Sequence, residues 1–196
     1  SFYTIGSSGH EGNAVLGQVF PYTDMAFLHY RSGAFFIERS KQLTSLDGAN
    51  DILLSLMACQ EDKISAGRHK VFGSLELNIP PQTSTIASHL PKALGCALSI
   101  TRAKELGINA KLESDGVVLC SFGDASLNHA SAQTTLNACG WLSSGNYPLP
   151  IIFICEDNGI GISVKTPHNW VKNSMQDRMG LHYIEADGLD LIDCYY

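Results

Sequence analysis

The sequence predicts an α/β fold: a three-layer arrangement in which helices cover both faces of a parallel sheet. Two short apolar runs, at residues 117–122 and 151–155, are nearly continuous rather than alternating, which is typical of parallel strands buried on both faces. A helical stretch over about residues 128–141 lies between them and gives the strand–helix–strand order of α/β proteins. Because such crossovers are right-handed, the two strands should be neighbours or near neighbours.

The first part of the chain is predicted to be helical and then extended. Residues 10–60 have a helical pattern, which Pro21 interrupts and the Asp-Gly-Ala-Asn turn at residues 47–50 punctuates. Residues 61–87 contain few long periodic runs. They indicate an extended excursion of the kind that often carries binding residues.

One further strand and two further helices are predicted in the rest of the chain. A helix is predicted from Leu90 to Leu106, with Pro91 in its first turn and Gly107 at its end. A third strand is expected over residues 182–186. A further helix should begin at residues 194–196, where the chain stops, so we expect residues 1–196 to form a single domain truncated at its C-terminus.

Composition limits the class of protein. Hydrophobic residues make up 44% of the 196 residues and charged residues 16%, with a net charge of −6, as in a globular chain. The acidic balance argues against nucleic-acid binding, and no apolar run approaches the ~20 residues of a membrane helix. Residues 1–4 lack signal-peptide features. We therefore expect a soluble protein in the cytoplasm, with an organellar matrix left open.

The six cysteines include no CxxC pair. Two of them, Cys120 and Cys155, lie inside the apolar runs. This usage predicts buried free thiols in a reducing compartment rather than a zinc site, which would need closer pairs with histidine.

Oxygen-bearing side chains follow both predicted strands at the point where each strand ends. Asp124 follows the first, and Asn158 follows the second within an Asp-Asn-Gly turn. Ligands of open parallel sheets bind outside the carboxyl ends of the strands, so the two side chains should share one rim. A main-chain carbonyl in the Gly159–Ile160 turn could add a third oxygen. Mg²⁺ prefers such hard oxygen ligands, and its remaining coordination positions would be open to water or phosphate oxygens.

The residues around Asp124 also suit a phosphate group. Gly123 and the small residues Ala125 and Ser126 let a ligand approach the backbone. Amide groups where the helix over residues 128–141 begins should point to the same place. The combined prediction is a diphosphate bridged by Mg²⁺.

Simpler interpretations exist for each half of this pattern. Alone, Asp124 would be a turn or helix-capping residue, and the Asn-Gly step at residue 158 a turn. A dinucleotide-binding fold is disfavoured because Gly123 is followed by Asp124, Ala125 and Ser126 rather than by the G-x-G-x-x-G spacing.

The two motifs and several other segments together resemble a known family. Gly-Asp-Ala at residues 123–125, followed after a helix by Asp-Asn-Gly at 157–159, is similar to the thiamine diphosphate motif, usually GDG and then NN. Five further segments resemble the α-subunit of 2-oxo acid dehydrogenase E1 components, the decarboxylases of the pyruvate and branched-chain complexes. They lie at residues 9–12, 29–36, 84–95, 156–163 and 187–190.

The resemblance implies a thiamine diphosphate-binding fold and a magnesium site. Its ligands would be the Asp124 carboxylate, the Asn158 amide and the carbonyl of Ile160. This sequence departs from the family pattern at two positions. Ala125 replaces the last glycine of GDG and brings a methyl group close to the cofactor, and Asp157 replaces the first asparagine of NN and adds a carboxylate.

The resemblance also implies further cofactor contacts. Tyr30 and Arg31 would contact the diphosphate, for which arginine is a permanently charged, forked partner. Ser84, and Ile86 through its backbone, would line the aminopyrimidine and thiazolium rings. Two histidines, His89 at the start of a helix and His129 shortly after Asp124, are weaker candidates for contacts to substrate or cofactor.

The implied activity is oxidative decarboxylation of a small 2-oxo acid, with transfer of the acyl group to lipoamide on an E2 acyltransferase. A β-type E1 subunit, or a fused β domain, would complete the cofactor site, and an oligomer is expected. Acetoin dehydrogenase and a transketolase-like enzyme are close alternatives. A non-catalytic binding or interaction domain on the same fold is the alternative from a different class.

Overall fold

The computed structural model describes residues 5–69, 71–108 and 115–196. Its contacts group the chain into two compact units. The first comprises residues up to Ser84 together with Ala186–Tyr196, and the second comprises Thr85–Glu185. The expectation of one domain over residues 1–196 stays a prediction.

The first unit contains short helices and a β-hairpin. Its elements are α1 (Asn13–Val19), β1 (Met25–Phe27), α2 (Gly33–Ser40), α3 (Gly48–Leu56), β2 (Phe72–Ser74) and β3 (Ile79–Gln82). The last two pair antiparallel. The predicted interruption at Pro21 is confirmed, since α1 ends at Val19, but the strand β1 that follows was not expected within this stretch. Asp47 starts α3 by accepting a 3.0 Å hydrogen bond from the Asn50 amide.

A buried arginine joins the turn at Pro21 to α2. The Arg39 side chain is fully buried and donates hydrogen bonds to the carbonyls of Pro21 and Asp24. Burial lowers the pKa of Arg39 to about 10, an effect that the Asp24 carboxylate partly opposes. The guanidinium of Arg39 therefore stabilises this turn, because it donates hydrogen bonds to carbonyls that have no partner within a helix.

The second unit is a mixed α/β assembly built on a parallel strand pair. Its elements are α4 (Leu90–Leu106), β4 (Val118–Gly123), α5 (Ala130–Ser144), β5 (Ile151–Glu156), β6 (Ile160–Gly161), β7 (Val164–Lys165) and α6 (Trp170–Met175). The strands predicted at residues 117–122 and 151–155 are confirmed, since β4 and β5 run parallel from Val118 opposite Ile151 to Gly123 opposite Glu156. The helix α4 ends at Gly107, which has a left-handed φ of 61°.

Burial differs between the two strands. Residues 118–122 of β4 are all buried, whereas β5 is only partly covered and leaves Ile152 42% exposed. The prediction that both strands are buried on both faces is therefore wrong for β5. Among the described residues, β5 pairs only with β4. The described residues therefore leave part of this apolar strand uncovered.

Two expected elements near the C-terminus are absent. Residues 182–186 form no strand, because an extended segment needs a neighbouring strand as the hydrogen-bond partner of its backbone groups. Ile184 in this segment is 87% exposed. Residues 191–195 form turns rather than a new helix. In the part of the chain that the structure describes, no helix has the length and apolar character needed to cross a membrane.

Candidate functional site

The carboxyl ends of β4 and β5 bring the two predicted oxygen ligands to one edge of the sheet. Gly123 lies opposite Glu156 in the parallel register, so Asp124 and Asp157 are the first residues after the ends of two neighbouring strands. Asn158 follows one position later. Residues 34 positions apart in the sequence (158 − 124) thus lie beside the same strand ends.

Asp124 is held by a residue that the sequence analysis missed. Asp124 is 2% exposed, and its Oδ2 accepts a 2.7 Å hydrogen bond from Oγ1 of Thr166. Thr166 arrives there because β6 and β7 form an antiparallel hairpin, which the Thr166 amide closes by donating to the Gly159 carbonyl at 3.1 Å. No spacing motif marks this threonine, since its position depends on that hairpin.

The loop after β5 orders its own side chains. Oδ1 of Asn158 accepts a hydrogen bond from the Ile160 amide, and Oδ1 of Asp157 accepts one from the Gly159 amide, both at 3.1 Å. Gly159 has a φ of +71°, which favours glycine. Asn158 is exposed, so its amide remains open to a ligand on the solvent side.

Two carboxylates share this edge of the sheet. Desolvation raises the pKa of Asp157 above its usual value, and the neighbouring Asp124 carboxylate raises it further, while the Gly159 amide acts in the opposite direction. A divalent cation would relieve this repulsion. Carboxylate, amide and main-chain carbonyl oxygens are hard ligands, so the donor set fits Mg²⁺.

The turn after Asp124 differs from the prediction. A 3-10 helix over Asp124–Asn128 precedes α5, so α5 starts at Ala130 rather than near Asn128. The His129 side chain accepts from the Ser131 amide at 3.2 Å and thereby uses one of the amides expected to face a phosphate. The amides nearest Asp124 belong to the 3-10 turn, which contains Ala125 and the buried Ser126.

The two predicted histidines differ in exposure, since His89 is buried and His129 is exposed. His89 is buried, and its Nε2 lies 2.7 Å from the Ser121 carbonyl in the middle of β4. His129 caps α5. Both imidazoles have a role in the fold, and their contacts to substrate or cofactor stay a prediction.

A cavity of about 230 Å³ lies next to the Asp124 turn. It is lined by Ala125, Asn128, Gly161, Lys165, Thr166 and Trp170, together with Val164 and Pro167. Its wall therefore includes the threonine that holds Asp124.

The other predicted cofactor residues are divided between the two units. Arg31 of the first unit donates to the Gly6 carbonyl at 2.8 Å, and its guanidinium lies 5.4 Å from the centroid of the Tyr30 ring. Tyr30 and Ser84 line one cavity of about 180 Å³, together with Arg68 and other residues of that unit. Ile86 belongs to the second unit and is 39% exposed in the turn before α4.

The parallel strand pair with oxygen ligands at its carboxyl edge defines an α/β protein with a candidate cation site. The chain belongs to the dehydrogenase E1 component family, whose sequence model matches residues 2–196. This confirms the family resemblance found in its motifs.

Three proteins that the chain resembles are alpha subunits of 2-oxoisovalerate dehydrogenases. The chain is 26% identical to the alpha subunit of mitochondrial 2-oxoisovalerate dehydrogenase from Caenorhabditis elegans and 25% identical to that from Mus musculus, with all of the chain aligned in both. It is 26% identical to the Bacillus subtilis alpha subunit over 75% of the chain. The chain spans 40–42% of the length of these relatives.

With Asp124 as a candidate metal ligand, replacing Thr166 with valine should weaken metal binding at this site without unfolding the chain. Valine has the shape of threonine but no hydroxyl donor, so the buried Asp124 carboxylate loses a 2.7 Å hydrogen bond. We expect about tenfold weaker Mn²⁺ affinity, measured by electron paramagnetic resonance in the presence of thiamine diphosphate. Thr166→Ser keeps the donor and serves as the control. Equal affinities for the valine and serine variants would show that the hydroxyl does not matter.

Proposed function

We propose that this chain forms the diphosphate-binding part of the E1 alpha-type component of a branched-chain 2-oxo acid dehydrogenase. The observation that carries the proposal is the placement of Asp124 and Asn158 at the carboxyl ends of two adjacent parallel strands. The names of the relatives, 2-oxoisovalerate dehydrogenase alpha subunits, support the substrate class.

Three oxygens of the chain would hold the metal. In this proposal the Asp124 carboxylate, the Asn158 amide and the Ile160 carbonyl bind Mg²⁺, which leaves positions for water and for diphosphate oxygens. Thiamine diphosphate, when bound, supplies the electron sink for decarboxylation. Held by these residues, the metal would serve as a template and neutralise phosphate charge rather than polarise the substrate.

The chain's own residues orient the cofactor. Asp124 is preorganised because its carboxylate is buried and already bonded to Thr166, so little ordering remains when the metal enters. Gly123 and Ser126 would admit the diphosphate beside this turn, together with Ala125. Tyr30 and Arg31 are the proposed diphosphate contacts from the other unit. Ser84 and the Ile86 backbone are the proposed contacts to the rings.

The proposal includes partners and a location. A β-type E1 subunit or fused β domain would complete the site in an oligomer, and a lipoyl-bearing E2 acyltransferase would accept the acyl group. The three-layer thiamine diphosphate-binding fold belongs to the same proposal. The mitochondrial names of several relatives support an organellar matrix, whereas the Bacillus subtilis relative is compatible with the cytoplasm.

The direct test is reconstitution of the chain with a β-type E1 partner. Release of CO₂ from a branched-chain 2-oxo acid should require both thiamine diphosphate and Mg²⁺, and chelation of the metal should abolish it. Preferred turnover of pyruvate or acetoin would assign the chain to another thiamine enzyme. Cofactor binding without turnover of any of these substrates would favour the non-catalytic alternative, and failure to bind the cofactor would refute both.

A further inference from the structure

A glycine and an alanine lie close together, each next to a residue proposed to bind magnesium. Ala125 follows Asp124 in the 3-10 turn, and Gly161 follows Ile160 in β6. A Cβ atom built at Gly161 would lie 2.6 Å from Cβ of Ala125. Carbon atoms in contact normally lie about 3.5–4.0 Å apart, so any side chain at position 161 would push the two segments apart by about 1 Å.

The backbone at Gly161 does not itself demand glycine. Its φ is outside the left-handed range, unlike that of Gly159 at +71°. An alanine at position 161 would therefore fit the local conformation, and the contact with Ala125 is what excludes it. The requirement for glycine arises from the methyl group on the neighbouring segment.

The hairpin has little freedom to absorb such a displacement. The Ile160 amide donates to Asn158 at 3.1 Å, and the Thr166 amide donates to the Gly159 carbonyl at 3.1 Å. The 2.7 Å hydrogen bond from Thr166 to Asp124 joins this hairpin to the 3-10 turn. Separation at position 161 would therefore strain that bond and move the proposed ligands of the two segments apart.

We propose that Ala125 and Gly161 are a size-matched pair of positioning residues that fixes the distance between the two segments carrying the magnesium ligands. The pair rests on the proposed function, because it matters through the metal site. Together the two positions tolerate one methyl group. Ala125 has that methyl group in this chain, so position 161 must be glycine.

A double-mutant cycle tests the pair. The variants are Gly161→Ala, Ala125→Gly and the double variant that moves the methyl group from one segment to the other. Each is assembled with a β-type E1 partner, and Mn²⁺ affinity in the presence of thiamine diphosphate is measured by electron paramagnetic resonance. Gly161→Ala should weaken Mn²⁺ binding by at least about tenfold, as expected when ligand-supporting contacts are lost. The double variant should recover most of that affinity.

Gly95→Ala is the matched control. Gly95 lies within α4 of the same unit, and a Cβ there would meet nothing within 4 Å. This variant should bind Mn²⁺ like the unchanged chain and have equal or higher thermal stability. It separates the effect of a methyl group at position 161 from that of glycine replacement in general.

The outcomes distinguish this inference from the proposed function. Loss of affinity in Gly161→Ala with recovery in the double variant supports the pair. If Gly161→Ala fails to fold, folding and Mn²⁺ binding by the double variant support it equally. Unchanged affinity in Gly161→Ala, or no recovery in the double variant, overturns the pair while leaving the proposed function intact. If the unchanged chain binds no Mn²⁺ with thiamine diphosphate, both are overturned.

Discussion

Replacing Asp124 with asparagine is expected to weaken Mg²⁺ and thiamine diphosphate binding together, by at least about 100-fold for the metal. Asparagine keeps the shape of the side chain and an oxygen that can accept from Thr166, so the fold should survive. It removes the negative charge that a hard dication requires. Binding of the cofactor should fall with that of the metal, because in the proposed site the metal would link the chain to the diphosphate.

Calorimetric titration of thiamine diphosphate with and without Mg²⁺ measures this effect. The control is Asp157→Asn, which removes the neighbouring carboxylate and restores the usual NN pair. Since Asp157 is not a proposed ligand, this variant should retain cofactor binding. Undiminished Mg²⁺-dependent binding in the Asp124 variant would mean that the metal is held elsewhere.

Replacing Arg39 with alanine should lower the free energy of unfolding more than any other substitution proposed for this chain. The side chain is fully buried and donates to the carbonyls of Pro21 and Asp24. Alanine leaves a cavity and two carbonyls without these donors, which should lower the free energy of unfolding by about 3–4 kcal/mol. Arg39→Met fills much of the volume and should cost about half as much, because only the hydrogen bonds are lost.

Urea unfolding of the chain followed by circular dichroism measures these stabilities. Arg102 provides a matched surface arginine, since its 2.9 Å pair with Glu105 is exposed. Arg102→Ala should change the free energy of unfolding by no more than about 0.5–1 kcal/mol. A similar small change for Arg39→Ala would show that its hydrogen bonds do not stabilise the turn at Pro21.

The central part of the fold could be predicted because its signals are local. Continuous apolar residues predicted β4 and β5, and Gly107 gave the end of α4. The strand predicted for residues 182–186 is absent because a strand depends on a partner, which a short local segment of sequence cannot reveal. Before residue 60, Pro21 and the turn at residues 47–50 marked the breaks between helices, but the strand β1 was not predicted because it is only three residues long.

The residues of the candidate site also fall into those that the sequence could predict and those that it could not. Asp124 and Asn158 could be placed beside one another from the order of strand, helix and strand, since parallel strands end at the same edge. Thr166 could not be found, because it reaches Asp124 only through the β6–β7 hairpin. The burial of His89 was also hidden, since its bond to Ser121 joins residues 32 positions apart.

The central claim is that Asp124 and Asn158 hold one divalent cation. The most direct measurement is a crystal structure of the chain with its β-type partner, thiamine diphosphate and Mn²⁺, in which anomalous scattering locates the metal. The account predicts one Mn²⁺ within about 2.0–2.4 Å of the Asp124 carboxylate, the Asn158 amide oxygen and a diphosphate oxygen. A diphosphate-bound Mn²⁺ coordinated by other residues, with neither Asp124 nor Asn158 among its ligands, would contradict it.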